Sequence, residues 1–110
     1  MIAEKAEESI KQAVCYELQN IVKNHGATYN SGHEGYAILK EEYEEALEAL
    51  HGIDKKISVI WAGLKVDIAC LNDVGEAKEF ALALAEEAVQ CAAVCEKFLE
   101  TFIVNKENEK

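Results

Sequence analysis

Ile38-Leu39-Lys40-Glu41-Glu42-Tyr43-Glu44-Glu45-Ala46-Leu47-Glu48-Ala49-Leu50 is the stretch whose reading decides the fold. On a helical wheel at about 100° per residue, Ile38, Leu39, Tyr43, Ala46, Ala49 and Leu50 share one arc. That spacing predicts a helix over residues 33–50 with one buried face. Glu42 falls inside the arc and Glu45 lies beside it. Glu41 sits further out, and Glu44 and Glu48 lie on the opposite, solvated side.

Upstream, Ser31 followed three residues later by Glu34 has the spacing of a capping box and opens this helix. A loop over residues 27–33 precedes it. Before the loop, Ile10, Val14, Leu18, Ile21 and Val22 recur at helical spacing and predict a first helix over residues 2–23, stopped by Asn24-His25-Gly26. Downstream, His51-Gly52 reads as a C-cap. A third helix then carries Ile53, Ile57, Ile60, Trp61, Leu64, Ile68 and Leu71 on one face and Val59, Ala62, Val66 and Cys70 on another. A helix apolar on two faces is central in a bundle or shared with a second copy, so self-association is expected. Asn72-Asp73-Val74-Gly75 is read as its end. Asp73 with Glu76 repeats the capping-box spacing and starts a fourth helix through Phe80, Leu84, Cys91, Cys95, Phe98 and Phe102. The charged tail from Asn105 to Lys110 is expected to fray. The predicted fold is all-α and four-helix bundle-like, a single oligomeric domain over residues 1–110.

Composition narrows the function. The 110 residues have room for one domain, half of them are apolar, and proline is absent. A net charge of -10 without a single arginine argues against a nucleic-acid backbone binder, because that affinity comes largely from Lys and Arg neutralising phosphates. A free anionic substrate would need a metal counter-charge. No stretch approaches the roughly 20 apolar residues of a membrane span. Glu4, Glu7 and Glu8 stand where a signal peptide has its basic start, so a cytoplasmic protein is expected. Cys15, Cys70, Cys91 and Cys95 lie within predicted apolar helices and read as reduced thiols.

The apolar pattern breaks at acidic residues. Glu87 projects between Phe80, Leu84, Cys91, Val94 and Phe98, in the middle of the fourth helix's stripe, and Gln90 follows at the stripe's edge. An isolated buried carboxylate costs several kcal/mol, and two or three facing one another repel unless protonated, hydrogen-bonded to a cation or metal-bound. One such glutamate can pair with a lysine such as Lys65 or Lys97. Three on two facing stripes favour a shared cation, and hard carboxylate oxygens suit magnesium or manganese, which take substrate phosphates as further ligands.

The stretch from Ser31 to Glu45, Ser-Gly-His-Glu-Gly-Tyr-Ala-Ile-Leu-Lys-Glu-Glu-Tyr-Glu-Glu, resembles the MazG-like all-α nucleoside triphosphate pyrophosphohydrolases, in particular a compact branch common in phages and Gram-positive bacteria. Glu41, Glu42 and Glu45 match the family's E-E-x-x-E motif. Glu87-Ala88-Val89-Gln90 is the nearest match to its E-x-x-D motif, with glutamine in place of aspartate and a longer interval than is typical. The run from Ala85 to Lys97 also resembles the E-A-I-Q-V-A-A-M segment of this branch. The resemblance covers residues 31 to 98.

It implies a helical bundle built as a homodimer or homotetramer that cleaves a nucleoside triphosphate to the monophosphate and pyrophosphate with metal-activated water. Glu42, Glu45 and Glu87 would hold magnesium or manganese, Gln90 a metal-bound water or ligand, and Glu41 would orient or deprotonate the attacking water. Lys65 and Lys97 are candidate phosphate contacts, although such lysines are more often solvated. Tyr29, Asn30, His33 and Trp61 are candidates for the base or sugar, although an aromatic at helical spacing such as Trp61 is usually a core residue.

Three other readings compete. Glu48-Ala49-Leu50-His51 has the E-x-x-H spacing of di-iron bundles, but a complete site needs two such motifs. Cys91 and Cys95 share a helix face and offer half a zinc site without a matching second half. A degenerate, non-catalytic module that binds nucleotide or another protein is the main alternative, and the glutamine at position 90 keeps it open.

Overall fold

The computed structural model describes the backbone of residues 1–108 and the side chains of residues 1–103. It is all-helical, with α1 at Glu4–His25, α2 at Gly32–Leu64 and α3 at Leu71–Asn108, and no strand among the described residues. The fraying expected of Asn105 to Lys110 lies outside the residues described in full. Two compact units divide the chain: residues 1–42 with 89–110, and residues 43–88.

In the first unit, α1 stops where expected. Gly26 takes φ 89°, a left-handed value that a side chain would strain, and its N–H donates to the Val22 carbonyl at 2.9 Å. At the start of α2 the Glu34 N–H donates to Ser31 Oγ at 3.1 Å, which is half of the expected capping box. The other half does not form, because the Glu34 carboxylate accepts from Asn30 Nδ2 at 2.9 Å instead. The buried residues described in this unit are Tyr29, Gly35, Ala93 and Val94 with two polar side chains, Lys97 and Thr101. Tyr29 meets Phe98 edge to face at 6.3 Å, and Phe98 stacks on Phe102 at 5.3 Å. Thr101 ties the loop to α3: its Oγ1 accepts from the Tyr29 N–H at 2.9 Å and its hydroxyl donates to the Lys97 carbonyl at 2.8 Å.

The second unit corrects the predicted helix count from four to three. His51 and Gly52 are not a C-cap but lie in the interior of α2. The reason is packing: a Cβ at position 52 would stand 2.5 Å from Phe80 Cδ1, so the missing side chain is where the Phe80 ring sits. A glycine inside a helix costs about 1 kcal/mol against alanine, and burial of part of an aromatic ring offsets that. α2 ends at Leu64, where the Gly63 carbonyl accepts from the Val66 and Ile68 N–H groups at 3.0 and 2.8 Å and Asp67 takes a left-handed φ of 60°.

Asn72-Asp73-Val74-Gly75 therefore does not end a helix; it lies in the opening turns of α3. Asp73 and Glu76 form no capping box. Both face Lys56, whose Nζ stands 3.1 Å from Asp73 Oδ1 and 2.5 Å from Glu76 Oε2.

Ala49 is buried as the helical arc predicts, but Tyr43 and Leu50 on the same arc are half exposed. Trp61, read as a possible core residue, is 61% exposed, and Ile57, Leu64, Val66, Ile68 and Leu71 are also more than half exposed. No helix among the described residues is long and apolar enough to cross a membrane.

Candidate metal site and cavity

Glu42 and Glu45 are three residues apart on α2 and so project from neighbouring positions on its surface. Glu87 comes from α3. One carboxylate oxygen from each lies within 4.8 Å of the others, with Glu42 and Glu87 half-buried and Glu45 exposed. All three donors are hard oxygens. Ligands about 2.1 Å from a magnesium ion lie about 3 Å apart when adjacent and about 4.2 Å apart when opposite. The observed spacing reaches that range with small rotamer changes, so the donor set fits a small divalent cation and leaves positions for water or phosphate.

Glu42 also lines a cavity of about 440 Å³ within the first unit, a size suited to a small-molecule ligand. Three helical faces build its wall. α1 contributes Glu17, Asn20, Ile21, Asn24 and His25, α2 contributes Glu34, Ile38, Glu41 and Glu42, and α3 contributes Gln90, Val94 and Lys97. Each set follows the three- and four-residue spacing of one helix face. Four carboxylates against one lysine leave this wall acidic, so a ligand must bring its own cation or meet one bound there.

Two polar groups in this wall are set deep. Lys97 is 1% exposed, and its Nζ lies over the Tyr29 ring, 4.2 Å from the centroid. Tyr29 is 6% exposed and its hydroxyl is buried without a hydrogen-bond partner. Burial, and then the charges of Glu34 and Glu42, push that hydroxyl above its ordinary value of 10.0. It therefore stays protonated at neutral pH and is available as a donor.

Of the residues singled out from sequence, Glu42, Glu45 and Glu87 come together, and Glu41, Glu42, Gln90 and Lys97 share the cavity wall. His33 is exposed and lines no part of it. Lys65, also exposed, stands over the Trp61 ring at 5.7 Å in the second unit. Lys97 is buried where a solvated lysine was the ordinary expectation. None of the four cysteines is in a disulfide, and neither Cys91 and Cys95 nor Glu48 and His51 join a group of three potential ligands among the described residues. Sequence reasoning passed over Thr101, and only its place one turn after Lys97 hinted at its role. No protein-family model, curated protein or solved structure matches this chain.

Proposed function

We propose that this protein is a metal-dependent nucleoside triphosphate pyrophosphohydrolase of the MazG-like all-α type. The observation that carries this reading is the three-carboxylate group of Glu42, Glu45 and Glu87, together with the cavity whose wall Glu42 shares.

In this reading Glu42, Glu45 and Glu87 hold magnesium or manganese, and Gln90 accepts from a water or ligand at the same ion. When bound, the ion lowers the pKa of a coordinated water and neutralises charge on the phosphates. Glu41, exposed on the cavity wall beside Glu42, takes the proton from the attacking water. The water oxygen bonds to phosphorus, the bridge between the α- and β-phosphates breaks, and pyrophosphate leaves with the bridging oxygen. Lys97 donates to a phosphate oxygen from the buried end of the cavity.

Self-association is part of the proposal. Ile57, Trp61, Leu64, Val66, Ile68 and Leu71 expose a run of large apolar side chains at the end of α2 and the start of α3, the kind of surface a second copy covers in a homodimer or homotetramer. Sedimentation showing only monomer at micromolar concentration would count against it.

The deciding experiment is magnesium-dependent release of pyrophosphate from a panel of nucleoside triphosphates. Release that disappears on chelation and in Glu45→Gln supports the enzyme. A nucleotide that binds without turnover favours the non-catalytic module, for which the amide at Gln90 is the motivating observation.

A further inference from the structure

We propose that the outward stripe of α2 formed by Tyr43, Leu47, Leu50, Ile57, Trp61 and Leu64 is a coiled-coil seam that packs antiparallel against the same stripe of a second copy. The inference deepens the self-association reading by naming its helix and its direction, and it does not depend on the hydrolase reading.

Within the second unit α2 carries two apolar stripes. Ala46, Ala49, Ile53 and Ile60 form the less exposed one. Tyr43, Leu50, Ile57 and Leu64 form the other; they stand seven residues apart and are between 48% and 57% exposed. Leu47 and Trp61, four residues after Tyr43 and Ile57, give this stripe the alternating four- and three-residue steps of a coiled-coil seam. Asp54, exposed, is the one charged residue in it. A straight helix drifts about 20° per seven residues, so a stripe held in register over three heptads follows a helix wound around it.

The occupant must share that repeat, because knobs enter holes only where both helices repeat in step. In neither α1 nor α3 do the exposed large apolar side chains among the described residues stand seven apart, which leaves α2 of a second copy as the matching helix. The area agrees. Tyr43, Leu50, Ile57, Trp61 and Leu64, half exposed, present roughly 500–600 Å² of apolar surface, the upper end of what a monomer shows. Each partner in a standard interface buries about 800 Å², and the exposed Val66 and Ile68 just beyond α2 extend the patch.

Charge sets the direction. Glu44 flanks the stripe near its start and Lys65 stands on the same flank three heptads later. The Lys65 N–H still donates to the Trp61 carbonyl at 3.1 Å, so this residue keeps its helical position. A parallel pair sets like charges side by side at both ends. An antiparallel pair sets Glu44 of each copy beside Lys65 of the other, and flanking charges of this kind fix the orientation of coiled coils.

The test measures the association of the full chain by sedimentation at micromolar concentration. Leu50→Glu and Ile57→Glu should each raise the dissociation constant on the order of a hundredfold with unchanged helical content. Glu44→Lys and Lys65→Glu should each weaken association about tenfold, since each turns two attractive pairs repulsive, and Glu44→Lys combined with Lys65→Glu should restore it. These charge variants keep the apolar seam and decide the matter if an apolar variant fails to fold. A monomeric wild type, association unchanged in both Leu50→Glu and Ile57→Glu, or single charge variants that associate as wild type would overturn the proposal. Assembly that follows this pattern without any pyrophosphate release removes the hydrolase reading and leaves the pairing standing, and release by a monomer does the reverse.

Discussion

Replacing Glu42 by glutamine separates a metal ligand from a structural carboxylate. In the metal-free protein the Glu42, Glu45 and Glu87 oxygens lie within 4.8 Å of one another. At that separation each like-charge pair costs about 0.9 kcal/mol in water and about 3.5 kcal/mol at an effective dielectric constant of 20. Glu42 is half-buried and Glu45 exposed, which puts the repulsion nearer the lower figure, so removing one charge from two neighbours relieves about 1–2 kcal/mol. The metal-free variant should therefore melt no lower than wild type. Magnesium at a hundredfold excess over its dissociation constant adds about 2.7 kcal/mol to the wild type, or roughly 10 °C for a chain of this length. In Glu42→Gln most of that shift should vanish, together with pyrophosphate release. Melting curves with and without magnesium, run beside a turnover assay, read both effects. A variant that melts about 3 kcal/mol lower without metal, the cost of breaking a buried pair, and still hydrolyses nucleotide would refute the metal-site argument.

Gly52→Ala should destabilise the fold by about 1–3 kcal/mol despite alanine's better helix propensity, because its Cβ collides with the Phe80 ring. Chemical denaturation measures this, and a stabilised variant would mean that the ring moves aside freely. Lys56 offers a pH test. Hydrogen bonds to Glu76 and then Asp73 raise it above its ordinary 10.5, so its stabilising contribution is full below that pH and is lost as pH rises through the folded-state value. Melting temperatures from pH 8 to 12 should fall more steeply at the alkaline end for wild type than for Lys56→Met, and parallel curves would contradict the pairing. Thr101→Val strands the buried Tyr29 N–H and should cost about 1–3 kcal/mol, with Thr101→Ser close to wild type; equal stability of the two would show that the hydroxyl carries no weight.

Two identical dipeptides mark the division between what local sequence determines and what tertiary structure decides. His25-Gly26 and His51-Gly52 both follow a helical pattern, and both read as stops. The first is one, with Gly26 at φ 89°; the second lies inside α2 because Phe80, 28 positions later, occupies the space beside it. No local rule separates them. Helical periodicity did determine that the chain is all-α, that Ala49 and Val94 turn inward, and that Glu42 and Glu87 interrupt apolar stripes with Glu45 beside one. Glu41, Gln90 and Lys97 also line the cavity, but periodicity alone set Glu41 outside the buried arc and Gln90 at a stripe's edge; only the family resemblance pointed to Glu41 and Gln90 as site residues. Periodicity could not distinguish Lys97 from Lys65. Both sit on an apolar helix and both lie over an aromatic ring, yet one is buried beside the orphan Tyr29 hydroxyl and the other is exposed beside an exposed Trp61. Burial depends on what the rest of the chain brings to the same place: here a loop residue 68 positions before Lys97, pinned by Thr101, and such long-range meetings leave no periodic trace in the sequence.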